Sequence, residues 1–194
     1  VRLLLDDMHT VGLTDLLLGL AAHANVEVRL YNPFPSGRDS WALRALGAIG
    51  NLERLNRRMH NKLFVADGRA AIVGGRNIAD AYFLRSEDGN FIDFDVLAAG
   101  TVATELGGHF DTYWNSAFAV PVQALADNGL DDAARRASFD RLAPAEPAAA
   151  AAPDLFGTTA PGPLLPAPVQ VFFDSPDKTA GLQRASERLP VARL

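Results

Sequence analysis

The chain opens on "VRLLLDD", a short apolar run that ends in the carboxylates Asp6 and Asp7. Leucines at 13, 16, 17 and 20 then keep helical spacing as far as Asn25, a plausible C-terminal stop. "VEVRLY" follows as a second strand, so about thirty residues read as strand, helix, strand. Such a unit predicts a largely parallel sheet covered by helices. "NPFPSG", from Asn32 to Gly37, is a loop built on turn residues.

Helical spacing returns from Trp41 to Arg58, with Leu43, Leu46, Ile49, Leu52 and Leu55 in an apolar stripe and Arg54, Arg57 and Arg58 on another face. Gly47 and Gly50 weaken that helix. "HNKLFVA" predicts a strand from His60, Asp67-Gly68 a hairpin turn, and "RAAIV" the return strand. "FIDFDVLAAG" is a further strand, and "VATELGGHFDTYWNS" a helix that closes at Trp114. The fold class expected is α/β, a mostly parallel mixed sheet flanked by helices.

Beyond Ser116 the composition changes. Seven of the 12 prolines fall between Pro144 and Pro168, beside "PAAAAAP", which makes that region a linker or insertion rather than core. "VQVFFDSPDK" then recovers strand character. Three parts are expected: a catalytic unit over 1–122, an Ala/Pro-rich linker over 123–168, and from 169 to 194 the start of a second half. Val1 lies inside a strand pattern, which predicts a natural N-terminus further upstream.

With 194 residues and 48% hydrophobic content the chain has enough apolar surface for a real core. Its net charge of −5 argues against wholesale nucleic-acid binding and leaves room only for a local basic patch. The absence of cysteine excludes thiol chemistry and disulfides. No run approaches the roughly 18 apolar residues of a spanning helix, so a membrane role is expected to be peripheral.

The chemistry concentrates in "RRMHNKLFVADGRAAIVGGRN". In a strand from His60, alternation puts His60 and Lys62 on one face and Asn61 and Leu63 on the other. A nucleophile or base then sits beside a fixed cation. Asp67 has the opposite parity and lies at the turn, which makes it structural on geometry alone. Gly74-Gly75, lacking Cβ atoms, lets backbone donors approach a ligand, and Asn77 is placed to open a helix whose N-terminus favours an anion. Arg57, Arg58 and Arg76 add positive potential at the rim. Together these features point to a phosphate. Singly, each residue has a plainer reading as a surface charge, tight turn or helix cap, but the joint spacing is far more specific. Of the other histidines, His9 stands at a strand's C-terminal end, where it is placed to touch substrate, and His23 and His109 read as helix-surface residues.

That spacing resembles the HxKx4Dx6GGxN signature of the phospholipase D superfamily, matched by His60, Lys62, Asp67, Gly74, Gly75 and Asn77. "LLLDD", "VEVRLYNPF", "LNRRMHNK", "IVGGRNIADAYF", "DFDVLAAG" and "FDTYWNS" extend the likeness, over about Val1 to Val122, to the N-terminal half of bacterial cardiolipin synthases of the C type. The resemblance implies half of a bilobal, two-motif enzyme of phospholipase D-like fold. It further implies a phosphohistidine on one motif histidine, with the histidine of a second motif protonating the leaving alcohol.

A nucleophilic histidine needs its other ring nitrogen fixed by a carboxylate. In relatives an acidic residue on the following strand does this, which favours Asp93, with Asp95 as the alternative. Lys62, Gly74, Gly75 and Asn77 are the expected phosphate-binding set, and no metal or other cofactor is required. The implied substrates are phosphatidylglycerol and a second phospholipid, at a bacterial cell membrane with peripheral contact. The second motif is expected in the same chain or a homodimer partner. The competing readings are a hydrolytic phosphodiesterase or nuclease acting as a homodimer, against which the acidic charge counts, and an inactive half-domain with a membrane scaffold role.

Overall fold

The structure, a computed structural model, describes residues 1–49, 58–142 and 165–181. The opening strand–helix–strand forms as the pattern predicts: β1 (Arg2–Asp6), α1 (Thr14–Ala21) and β2 (Glu27–Tyr31). The two strands pair in parallel, Leu3 opposite Val28 and Asp6 opposite Tyr31. Leu17 and Leu18 of α1 close on Val28 and Leu30, and each such fully buried aliphatic side chain contributes about 1.5–3 kcal/mol. Ser40 caps α2 (Trp41–Ala48) by accepting from the Leu43 amide.

Downstream, β3 (Leu63–Ala66) and β4 (Ala70–Gly74) form the expected hairpin, and β5 (Asp95–Ala99) lies against β4. Asp67 and Gly68 both have positive φ, 53° and 65°, and the Arg69 amide donates to the Ala66 carbonyl at 3.0 Å. Three residues, Asp67 to Arg69, separate the paired Ala66 and Ala70, and the two positive φ angles at the head of this turn let the strands double back. Helix α3 (Thr101–Trp114) covers this second sheet, with Ala103 and Leu106 buried on Ala71, Leu63 and Val73. The chain then returns to the first sheet as β6 (Ala119–Pro121), antiparallel to β2.

The mostly parallel sheet is corrected by this topology. There are two three-stranded sheets, β1-β2-β6 and β3-β4-β5, and among the described strands only β1 and β2 pair in parallel. The reason is local: parallel pairing needs a crossover, which α1 supplies, whereas the Asp67-Gly68 turn obliges its strands to run antiparallel.

Three further expectations change. Residues assigned to the linker form α4 (Val122–Leu125) and α5 (Asp132–Leu142), and α5 docks on α1. Gly19 meets Phe139 so closely that an added Cβ would lie 2.7 Å from the Phe139 Cβ, and Arg136 donates to the Ala22 carbonyl at 2.7 Å. The Pro-rich remainder, 143–164, lies outside the described residues. The helix expected to reach Arg58 is described only as Trp41–Ala48; Leu52, Leu55, Arg54 and Arg57 lie outside the described residues, and Arg58 is not helical. "VQVFF" is not a strand: Val171 and Phe173 pack into the core clusters as an irregular strap, leading to α6 (Asp177–Ala180).

Candidate active site

Strand β3 begins at Leu63, three residues later than expected, so His60, Asn61 and Lys62 form the lead-in to it. Leu63 is drawn into the core beside Ala71 and Leu106. All four residues border a cavity of about 290 Å³ whose other walls include Met59, Gly74, His109, Tyr113 and Phe173. His60 is exposed and Lys62 half-buried. The Lys62 ammonium donates to the His60 carbonyl at 2.9 Å, which holds the cation beside the histidine. Asn61 hydrogen-bonds the Tyr113 hydroxyl.

The electrostatics follow from burial. Desolvation pushes the Lys62 pKa below that of an ordinary lysine, while the carboxylates of Asp93 and then Asp6 pull it back up. The Tyr113 hydroxyl is pushed well above the usual tyrosine range, first by burial and then by Tyr31 and Asp174, with the Asn61 hydrogen bond opposing. It serves as a neutral donor to the Asp174 carbonyl at 2.6 Å, tying the strap to the cavity wall.

The glycine pair has a different physical reason from backbone approach to a ligand. A Cβ on Gly75 would lie 2.3 Å from Asp93 Oδ1, and one on Gly74 would lie 2.1 Å from Asp95 Oδ1 and 2.4 Å from the Phe94 carbonyl. Their missing side chains make room for two carboxylates. The Gly75 amide donates to the Phe94 carbonyl at 3.3 Å and the Arg76 amide to Asp95 Oδ1 at 3.4 Å, so these donors are engaged within the protein.

Asp93 accepts from the Phe94 amide at 2.7 Å and acts on Lys62 through its charge. Asp95, the alternative, is committed to Arg76, whose Nε donates to it at 2.6 Å. Arg76 also donates to the Tyr82 carbonyl, so it braces the following loop and is no free rim charge. Asn77 is exposed and outside the cavity lining. The helix expected from Asn77 does not form: a 3-10 turn at Asp80–Tyr82 stands there, with Ala79 at its N-cap. Asp67 occupies its turn, exposed. His9 is exposed in the 3-10 turn Asp7–His9 and does not line the cavity.

Two residues escaped the sequence reading. His109 is no helix-surface residue: its ring lies 3.7 Å from that of Phe173, and it lines the cavity. The signal was present, since Leu106, His109, Phe110 and Tyr113 fall at i, i+3, i+4 and i+7 and all four face the cavity. Asp6 accepts from the Met59 amide at 3.1 Å, immediately before His60, and from Arg58 Nε at 2.8 Å. Nothing in local spacing marks that pairing.

Over 127 residues the chain is 50% identical to cardiolipin synthase C of Escherichia coli (strain K12), a match covering 66% of this chain and 26% of that protein. Uncharacterized proteins of two Helicobacter pylori strains are 41% identical over 126 residues, 64% of this chain and 24% of theirs. The chain therefore spans about a quarter of the length of the curated relatives it matches. No protein-family model and no solved structure matches it. The chain resembles cardiolipin synthase C and, with it, the phospholipase D superfamily.

Proposed function

We propose that this chain is the first-motif half of a phosphatidyl transferase that makes cardiolipin by phosphodiester exchange. The observation that carries the reading is the cavity shared by His60 and Lys62, with the ammonium held 2.9 Å from the His60 carbonyl. An imidazole suits nucleophilic or acid/base work near neutral pH, and a fixed cation suits a phosphorane's oxygens.

In this scheme a motif histidine attacks phosphorus, a phosphorus–nitrogen bond forms, and the bond to the leaving alcohol breaks as a second histidine protonates it. The glycerol headgroup of phosphatidylglycerol then displaces the histidine and returns the proton. Lys62 holds the nonbridging oxygens, with Gly74 beside it in the cavity lining. In this reading Asp93 orients the motif histidine, its charge favours the protonated form of Lys62, and Asp67 acts through the turn. No metal enters the scheme.

One imidazole cannot stand on both sides of phosphorus, so the site is completed by a second motif-bearing half or a second copy. Support comes from the loop after Gly75, where Ile78, Ile92 and Phe94 are 87%, 98% and 77% exposed, an apolar surface suited to burial against that half. Membrane contact is peripheral in this reading; among the described residues no helix is long and apolar enough to cross a bilayer.

The test is to assay the 194-residue chain for phosphatidyl transfer and for phosphodiester hydrolysis, alone at several concentrations and with a motif-bearing C-terminal half. Transfer that appears only with that half supports the proposal. Activity rising with self-association favours the homodimeric phosphodiesterase, and full activity from a monomer rules out the two-histidine scheme.

A further inference from the structure

We propose that Asp6 is a positioning residue, the tether that holds one end of the His60–Lys62 span while strand β3 holds the other. The inference rests on the reading of His60 as a reacting group, and its geometry is independent of it.

The span crosses between the two sheets. At its C-terminal end Leu63 enters β3, in register with Val73 of β4, so Lys62 is followed at once by sheet structure. At its N-terminal end lies the tip of β1, where Asp6 stands opposite the buried Tyr31. The Asp6 carboxylate is 17% exposed and divides its two oxygens. Oδ2 accepts from the Met59 amide at 3.1 Å, one residue before His60. Oδ1 accepts from Arg58 Nε at 2.8 Å, from Arg58 Nη2, and from the Met8 amide at 2.9 Å. Arg58 is itself fixed, donating to the Asn32 carbonyl at 3.1 Å with its guanidinium 5.1 Å from the Phe34 ring centre. The Met59 side chain packs on the cluster of Tyr31, Tyr113 and Ala119.

A three-residue span fixed at both ends has few ways to move, whereas one that loses its main-chain anchor at Met59 gains freedom to pivot about Leu63. Asp6 also helps to keep Lys62 protonated, second to Asp93. A carboxylate is required for the tether because it offers two acceptor atoms to donors on both sides. Asparagine has the same shape but a single acceptor, so one side would set a donor against a donor.

The experiment compares Asp6→Asn and Asp6→Glu in the assembly that supplies the second histidine. It measures kcat, KM and backbone amide exchange at Met59 against the core amides of Leu30 and Ala71. Asp6→Asn should lower kcat about 100-fold, the scale of an ångström misplacement, with KM nearly unchanged. Exchange at Met59 should rise about 10-fold while Leu30 and Ala71 stay protected, the loss expected for one hydrogen bond of roughly 1.4 kcal/mol. Asp6→Glu should recover part of kcat. Unchanged exchange at Met59, or raised exchange with unchanged kcat, overturns the proposal. If His60→Ala keeps full activity, the catalytic reading fails separately, and the exchange result alone then decides whether Asp6 is the tether. If Asp6→Asn unfolds the chain, Arg58→Gln loosens the same clamp from its other side; an unaltered kcat and Met59 exchange in that variant also overturns the proposal.

Discussion

The carboxylate of Asp93 lies directly against the Cα of Gly75, so that a Cβ at residue 75 would come within 2.3 Å of Oδ1 and 2.6 Å of Oδ2. Gly75→Ala meets only the end of a side chain that can turn away, whereas Gly74→Ala also meets the Phe94 carbonyl at 2.4 Å, which is main chain. Gly74→Ala should therefore cost about 1–3 kcal/mol of stability, the scale of overpacking, and Gly75→Ala distinctly less. Gly75→Ala should still reduce transfer by displacing Asp93 from Lys62. Urea unfolding of both variants beside their kcat/KM values checks the split, and equal destabilisation would contradict it.

The Lys62 ammonium titrates below the ordinary lysine value because burial outweighs the pull of Asp93 and Asp6. If the cation holds phosphoryl oxygens, activity is present below that lowered pKa and lost as pH rises through it. The alkaline limb of kcat/KM should thus fall at lower pH than for an exposed lysine. Asp93→Asn removes the larger upward influence and should move the limb lower still; Asp6→Asn should move it less. For stability the sign reverses: the folded state binds this proton more weakly than the unfolded chain, so Lys62 contributes a cost near neutral pH. That cost is relieved as pH rises through the folded value towards the unfolded one. A pH–rate series on the three proteins, with no movement of the limb, would remove Lys62 from the mechanism.

Asp67, at φ 53°, occupies the left-handed region that aspartate and asparagine tolerate best among residues with a side chain. Asp67→Asn should leave both stability and turnover nearly unchanged. Asp67→Ala should cost about 1 kcal/mol, with normal turnover per folded molecule. Loss of turnover in a fully stable Asp67→Asn would show that this carboxylate acts on the chemistry and not through the hairpin.

Tyr113 joins the cavity wall to the strap, donating to the Asp174 carbonyl at 2.6 Å while Asn61 bonds the same hydroxyl. Tyr113→Phe keeps the ring and removes that link. The expected cost is about 1 kcal/mol, concentrated in faster amide exchange over residues 171–178. Exchange that quickens equally in β2 and β4 would indicate global loosening and count against a local latch.

What the sequence determined by itself was set by short-range physics. The leucine spacing before Asn25 and the alternation of "VEVRLY" specify β1-α1-β2, because that crossover is the economical way to bury both strands' apolar faces. Asp67-Gly68 specifies the hairpin because few residue pairs accept two positive φ angles. The helix over Thr101–Trp114 and the spacing of His60, Lys62 and the glycine pair were legible for the same reason. The tertiary structure decided which charges meet. Asp6 and Met59 are 53 residues apart, and Tyr113 and Asp174 are 61, so no local period announces either contact. Folding alone turned His109 toward Phe173, docked α5 on Gly19, and gave Gly74 and Gly75 to two carboxylates. Periodicity specifies which face of an element is apolar, but not which distant segment will cover it; that is settled only when the chain closes and each buried polar group must find a partner.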